Sequence, residues 1–163
     1  MAATMHAAQH RPFSVAVQAE DFQLESELLA MRAGSSAIGA ICSFVGLVRD
    51  YNAQSRVATL ELEHYPGMTE RSIHALISEA RERFDIQAAR VVHRIGLLRP
   101  GDNIVLVAVA SAHRAASFQA CEFLMDRLKT EAPFWKREDT PQGLGWVDAR
   151  ESDEAAADRW HHT

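Results

Sequence analysis

Apolar and polar positions along the chain change period several times, and each change marks an element. Phe13-Ser14-Val15-Ala16-Val17 alternates as a strand does. Leu24, Leu28, Leu29 and Met31 then recur near one face of a helix that Asp21 caps and Gly34 ends. From Ala37 to Val48 Ile, Val and Phe accumulate around Gly39 and Gly46, which predicts a buried strand with a bulge or a close backbone approach. Arg49 stands where that strand stops. After the polar loop 50–55, Val57 to His64 sets Leu60 and Leu62 against Glu61 and Glu63, a half-buried strand expected to pair with the preceding one as a hairpin.

Pro66 and Gly67 open the clearest helix of the first half, with Met68, Ile73, Leu76, Ile77, Ala80 and Phe84 at three- and four-residue steps. Ala89 to Leu98 and Asn103 to Ala110 flank Arg99-Pro100-Gly101-Asp102, whose Pro-Gly pair signals a turn between antiparallel strands. A second amphipathic helix, Ala115 to Leu128, turns Phe118, Cys121, Leu124, Met125 and Leu128 inward, and Pro133 stops it from running on through Lys136. A short strand at Trp146-Val147 and a short helix or loose tail over 151–160 complete the chain. Strands and helices mixed with hairpins favour an α+β fold over a doubly wound parallel sheet. Residues 1–12 are expected to be a flexible N-terminal extension, 13–150 a single catalytic domain, and 151–163 a C-terminal tail.

Composition narrows the picture. A chain of 163 residues suits one domain, large enough to bury a core without disulfides or a metal. The net charge of −5, from 17 basic and 22 acidic residues, argues against a broad nucleic-acid surface but leaves room for a local cationic pocket. Cys42 and Cys121 sit inside apolar runs and read as reduced core thiols, with no metal-ligand spacing. The first twelve residues lack the apolar stretch of a secretory signal, and no run reaches the roughly 18 apolar residues that span a bilayer, so a cytoplasmic location without membrane contact is expected.

Cationic or titratable side chains gather at element ends: Arg49 after a strand, His113-Arg114 before a helix, Lys129 at that helix's end, and Lys136-Arg137 beyond Pro133. A helix start favours an anion, and guanidinium groups strengthen a phosphate site. Apolar neighbours such as Pro133, Phe134 and Trp135 can lower a lysine pKa by taking it out of water, which frees the amine for proton or nucleophile chemistry. The competing reading is that each is a solvated or helix-dipole-compensating surface charge. On an unbroken helix the seven-residue spacing would put both lysines on one face; across the proline their convergence has to be tertiary. His74 and His93 lack partners at ligand spacing and read as structural, and His161-His162 as a solvated tail. Neither a phosphate-loop glycine pattern nor a Ser-His-Asp signature is present.

Five segments taken in register carry a resemblance: Gly39 through Asp50, Leu62-Glu63-His64-Tyr65-Pro66-Gly67-Met68, Val92-His93-Arg94-Ile95-Gly96, Ser111-Ala112-His113-Arg114, and Leu128 through Glu138. From about Phe13 to Trp160 the chain resembles the large, catalytic subunits of molybdopterin synthases. The resemblance implies an α/β hammerhead-type fold with mostly antiparallel sheets and two main amphipathic helices, and a homodimer within a heterotetramer. It also implies a small ubiquitin-like sulfur-carrier subunit as partner, which brings sulfur as a thiocarboxylate on its C-terminal Gly-Gly tail. The substrate would be cyclic pyranopterin monophosphate, sulfurated to the molybdopterin dithiolene of molybdenum cofactor biosynthesis, with no cofactor or metal of the subunit's own. Matched by motif, Leu47, Val48 and Arg49 would line the pterin pocket, His113 and Arg114 would bind the phosphate region, Lys129 and Lys136 would be the catalytic lysines, and Arg137 and Glu138 would complete the second pocket segment. The alternatives are a non-catalytic module that holds a phosphorylated metabolite, or a scaffold that only docks a carrier's tail.

Overall fold

The computed structural model describes residues 12–52, 55–148 and 151–162. The expected N-terminal extension lies, apart from Pro12, outside the described residues. The first half of the chain runs β1 (Phe13–Gln18), α1 (Leu24–Arg32), β2 (Ala40–Leu47), β3 (Thr59–His64) and α2 (Met68–Arg83). The second half runs β4 (Ala88–Arg94), β5 (Gly96–Leu98), β6 (Asn103–Ser111), α3 (Arg114–Glu131), β7 (Phe134–Thr140), β8 (Gly143–Val147) and α4 (Glu151–Asp158), then a 3-10 turn at Arg159–His162. The strands form two four-stranded sheets, β1-β4-β6-β2 and β5-β3-β7-β8. Only the β1–β4 pair is parallel among the paired strands, so the class is α+β with mostly antiparallel sheets.

Strand β6 sits in the first sheet between β4 and β2, and its residues alternate between two apolar layers. Val105, Val107 and Val109 join Val91 beneath Ile73, Leu76 and Ile77 of α2 and Phe123, Leu124 and Leu128 of α3. Leu106, Ala108 and Ala110 face the other way, onto Phe22 and Met31 at α1. A smaller core of Val48, Leu60, Leu62 and Leu98 fills the inner face of the second sheet.

Several expectations are corrected by these pairings. No hairpin joins β2 to β3 among the described residues: β2 pairs with β6, β3 lies between β5 and β7 in the other sheet, and a Tyr51–Arg56 bridge spans the loop between them. Strand β2 is an edge strand and not a buried one, with Phe44 41% and Leu47 52% exposed. The expected bulge is present as a register shift between Gly46 and Leu47, and so is the close approach, since a Cβ on Gly39 would lie 2.2 Å from the Ala112 carbonyl oxygen. The run from Ala89 to Leu98 is two strands. It leaves the first sheet after Arg94 and enters the second at Gly96, whose φ of +85° suits glycine. Asp21 does not cap α1: Gln23 holds that position, and Asp21 Oδ1 accepts instead from the Phe22 amide at 2.8 Å and Asn103 Nδ2 at 3.0 Å. Phe118 is 61% exposed, because α3 is rotated to bury Ser117, Ala120, Cys121 and Leu124.

The last segment is bound to the core. Trp160 stands edge-on to Phe84 and Phe123, with centroids 6.0 and 5.4 Å away, and its Nε1 donates to Asp126 Oδ2 at 2.8 Å. Arg83 Nη1 donates to the Trp160 carbonyl at 2.7 Å. Trp160→Ala should therefore lower unfolding free energy by about 3 kcal/mol in urea denaturation. A loss within experimental error would show that the tail carries no part of the core.

Candidate active site

Residues from β2 through α4 line one cavity of about 220 Å³. The end of β2 and the residues after it supply Leu47, Val48 and Arg49, the last turn of α3 supplies Lys129, and β7 supplies Phe134, Lys136 and Glu138. Asp148 and Asp153 close the rim. Arg49 is placed by its neighbour: Val48 donates its amide to the Asp102 carbonyl at 2.9 Å and accepts from the Gly101 amide at 2.8 Å, so the predicted Pro-Gly turn clamps the strand end.

Lys129 and Lys136 reach the same cavity because the chain bends at Pro133, and the bend is held from outside. The buried Thr69 hydroxyl donates to the Pro133 carbonyl at 3.0 Å while accepting the Tyr65 amide at 3.0 Å. Behind Lys129, the largely buried Arg127 is bound by Glu131 and donates to Glu79 at 3.0 Å, which ties the end of α3 to α2. Those carboxylates hold the Arg127 guanidinium firmly in its charged form, against the cost of its burial.

On β7 the side chains alternate. Phe134, Lys136 and Glu138 turn into the cavity, and Glu138 accepts from Asn52 Nδ2 at 2.6 Å. Trp135 is exposed, and Arg137 pairs with Glu61 and lies 5.5 Å from the Trp146 ring, on the opposite face. Of the residues singled out in the sequence, the structure thus brings together Leu47, Val48, Arg49, Lys129, Lys136 and Glu138, while Arg137 stands outside their cavity. His113 and Arg114 are exposed at the start of α3, 15 or more residues from Lys129 and so roughly 22 Å along the helix. The apolar screen foreseen for the lysines is half realised, by Phe134 and not by Trp135.

Asp148 and Asp153 were not foreseen as pocket residues, since nothing in their spacing connects them to Arg49. His93, read from sequence as structural, lies directly behind the site. Its ring stacks on Phe134 with centroids 3.7 Å apart and planes at 17°, and its Nδ1 lies 2.8 Å from the Arg94 carbonyl oxygen. Burial, and then the charges of Lys136, Lys129 and His64, push the imidazole down to about 4 in spite of that hydrogen bond.

A larger groove of about 810 Å³ lies between α1 and β2, but it is mostly apolar and charged only by Glu25 and Arg32. Among the described residues no cluster of three or more His, Cys, Asp or Glu could hold a metal ion. No helix among them is long and apolar enough to cross a membrane.

The MoaE protein family model matches residues 17–131, which includes Arg49, His113, Arg114 and Lys129. The chain belongs to the MoaE family. A MoaE relative named molybdopterin synthase catalytic subunit, from Ralstonia nicotianae, is 56% identical over 147 residues, covering 90% of this chain and 84% of the relative. The solved MoaE protein of Burkholderia ambifaria is 50% identical, with a TM-score of 0.79 over 91% of this chain and 97% of that one. A more distant fold match, 18% identical with a TM-score of 0.68 over 86% and 92% of the two chains, is a complex of subunits 1 and 2 of molybdopterin-converting factor from Helicobacter pylori.

The neutral state of His93 has a consequence for stability. Its folded pKa lies below the unfolded value, so the unfolded chain takes up the proton first as pH falls. Stability should decline between about pH 6.5 and pH 4, by about 2–3 kcal/mol at pH 4.5, and level off below the folded value. Urea titrations across that window check this, and His93→Phe should remove the component.

Proposed function

We infer that this chain is the catalytic subunit of a molybdopterin synthase, transferring sulfur from the C-terminal thiocarboxylate of a small carrier subunit to cyclic pyranopterin monophosphate. The observation that carries the reading is the convergence of Arg49, Lys129 and Lys136, from three separate elements, on one cavity. Two anions must meet in this reaction, a cyclic phosphate and a thiocarboxylate, and three fixed cations in a partly enclosed site provide the matching field. Lys129 and Lys136 stabilise charge developing at the thiocarboxylate carbonyl and at the pterin side chain, and shuttle protons as sulfur moves. Leu47, Val48 and Phe134 give the pterin an apolar wall, and Glu138, which accepts from Asn52, places a carboxylate in the same cavity as the amines. The reaction takes place in the cytoplasm.

The carrier is a separate small chain, a reading supported by the two-subunit complex among the structural neighbours. His113 and Arg114 lie too far along α3 to serve the cavity of their own chain, so they contribute to the phosphate site of a second copy in a homodimer. That arrangement has a direct test. A subunit carrying Lys129→Ala mixed with one carrying Arg114→Ala should regain activity that neither has alone, because one of the two sites in the mixed dimer is then intact. No recovery above the separate variants would rule out a site shared between two copies.

The reaction itself is checked by mass. With a thiocarboxylated carrier and the cyclic pterin, the product should gain two sulfurs and lose the cyclic phosphate linkage. Alanine at Lys129 or Lys136 should slow this by more than tenfold, at least ~1.4 kcal/mol in the barrier. Tight pterin binding without sulfuration would instead favour a metabolite-binding module.

A further inference from the structure

We infer that His93 is a positioning residue for the lysine pair: its ring, anchored to the Arg94 carbonyl and stacked on Phe134, holds β7 so that Lys136 meets Lys129 across the cavity. The first part of the geometry is the anchor. A carbonyl oxygen only accepts, so Nδ1 carries the hydrogen, and the neutral ring has one fixed tautomer with Nε2 unprotonated. Arg94 is itself immobilised, its guanidinium donating to the Ala19 carbonyl at 3.0 Å and the Asn103 carbonyl at 3.1 Å, with the next amide, of Ile95, donating to the Gln18 carbonyl at 2.9 Å. The imidazole is thus attached to one of the most heavily bonded corners of the first sheet.

The second part is the contact. Phe134 belongs to the second sheet and lies two residues from Lys136 on the same face of β7, so a ring stacked on Phe134 fixes the height of that strand over the cavity. Flat stacking at 3.7 Å is a close contact that an aliphatic side chain of similar volume would not reproduce. The charged and titratable groups that act on the ring are Lys136 on β7, Lys129 on α3 and His64 on β3, all cationic when protonated. A neutral imidazole supports the lysines without adding a third positive charge beneath them. Burial excludes His93 from direct contact with substrate, so its action runs through Phe134 and β7.

This inference rests on the sulfur-transfer reading, and two measurements keep the two separable. In sulfur transfer, His93→Leu fills the volume without the ring and should lower kcat by about tenfold with KM for carrier and pterin changed less than about threefold, while His93→Phe should stay within about threefold of wild type in kcat. Both are compared at a temperature where circular dichroism shows them folded. Independently of any substrate, nitrogen NMR of the whole chain should find His93 as the Nδ1–H tautomer at pH 7, titrating well below an ordinary histidine, with its midpoint raised in Lys136→Met. A His93→Leu variant as fast as wild type, or a His93→Phe variant as slow as His93→Leu, overturns the inference. If the wild-type chain transfers no sulfur, the proposed function fails instead. The placement of His93 is then decided by NMR, where an ordinary midpoint, or one indifferent to Lys136→Met, overturns it.

Discussion

The passage of the chain from one sheet to the other at Ile95–Gly96 is the constraint on which the pocket geometry rests. Up to Arg94 the strand is held between β1 and β6; from Gly96 it is paired with β3 in a different sheet. A left-handed backbone at Gly96 makes that change of direction within two residues, where a side chain would be strained. Because β3 also carries β7, the same turn decides where Lys136 lies relative to the core formed by α2, α3 and the first sheet. The two lysines are brought together by this sheet-to-sheet transfer as much as by the bend at Pro133.

The three cations of the cavity are set among carboxylates. Glu138, Asp148 and Asp153 line it together with Arg49, Lys129 and Lys136, so the formal charges of the lining cancel and an entering anion would compete with carboxylates already in place. Arg137 and Glu61 satisfy one another on the outer face and leave the field inside to the remaining groups. Buried Arg127 plays a mechanical part in this, since its carboxylate partners fix the helix end from which Lys129 projects.

Periodicity made the main elements legible. The two amphipathic helices, the alternation of Leu60 and Leu62, the bulge beside Gly46 and the Pro-Gly turn all follow from local rules and are all present. Pairing was not legible in the same way: alternation tells which side of a strand is buried but not which strand lies beside it, and so β2 and β3 looked like a hairpin although they belong to different sheets. Phe118 was misplaced because helical spacing fixes relative angles and not the absolute rotation of the helix. For the site, the motif positions of Arg49, Lys129 and Lys136 could be read from sequence. His93 could not, because its significance lies in a ring contact with a residue 41 positions away.

Strand β7 carries two chemistries on one backbone, and they are separated by nothing more than parity. Residues 134, 136 and 138 look inward, while 135 and 137 look out. Loss or gain of a single residue ahead of Lys136 would exchange the two sets and present Trp135 or Arg137 to the cavity, even if every strand remained paired. A shift of two residues would restore the parity but slide each group about 6.6 Å along the sheet, farther than a side-chain rotation recovers. The strand should therefore tolerate many replacements on its outer face and almost no change in length between Pro133 and Glu138, an asymmetry between substitution and indel that a family alignment would record as a gapless block.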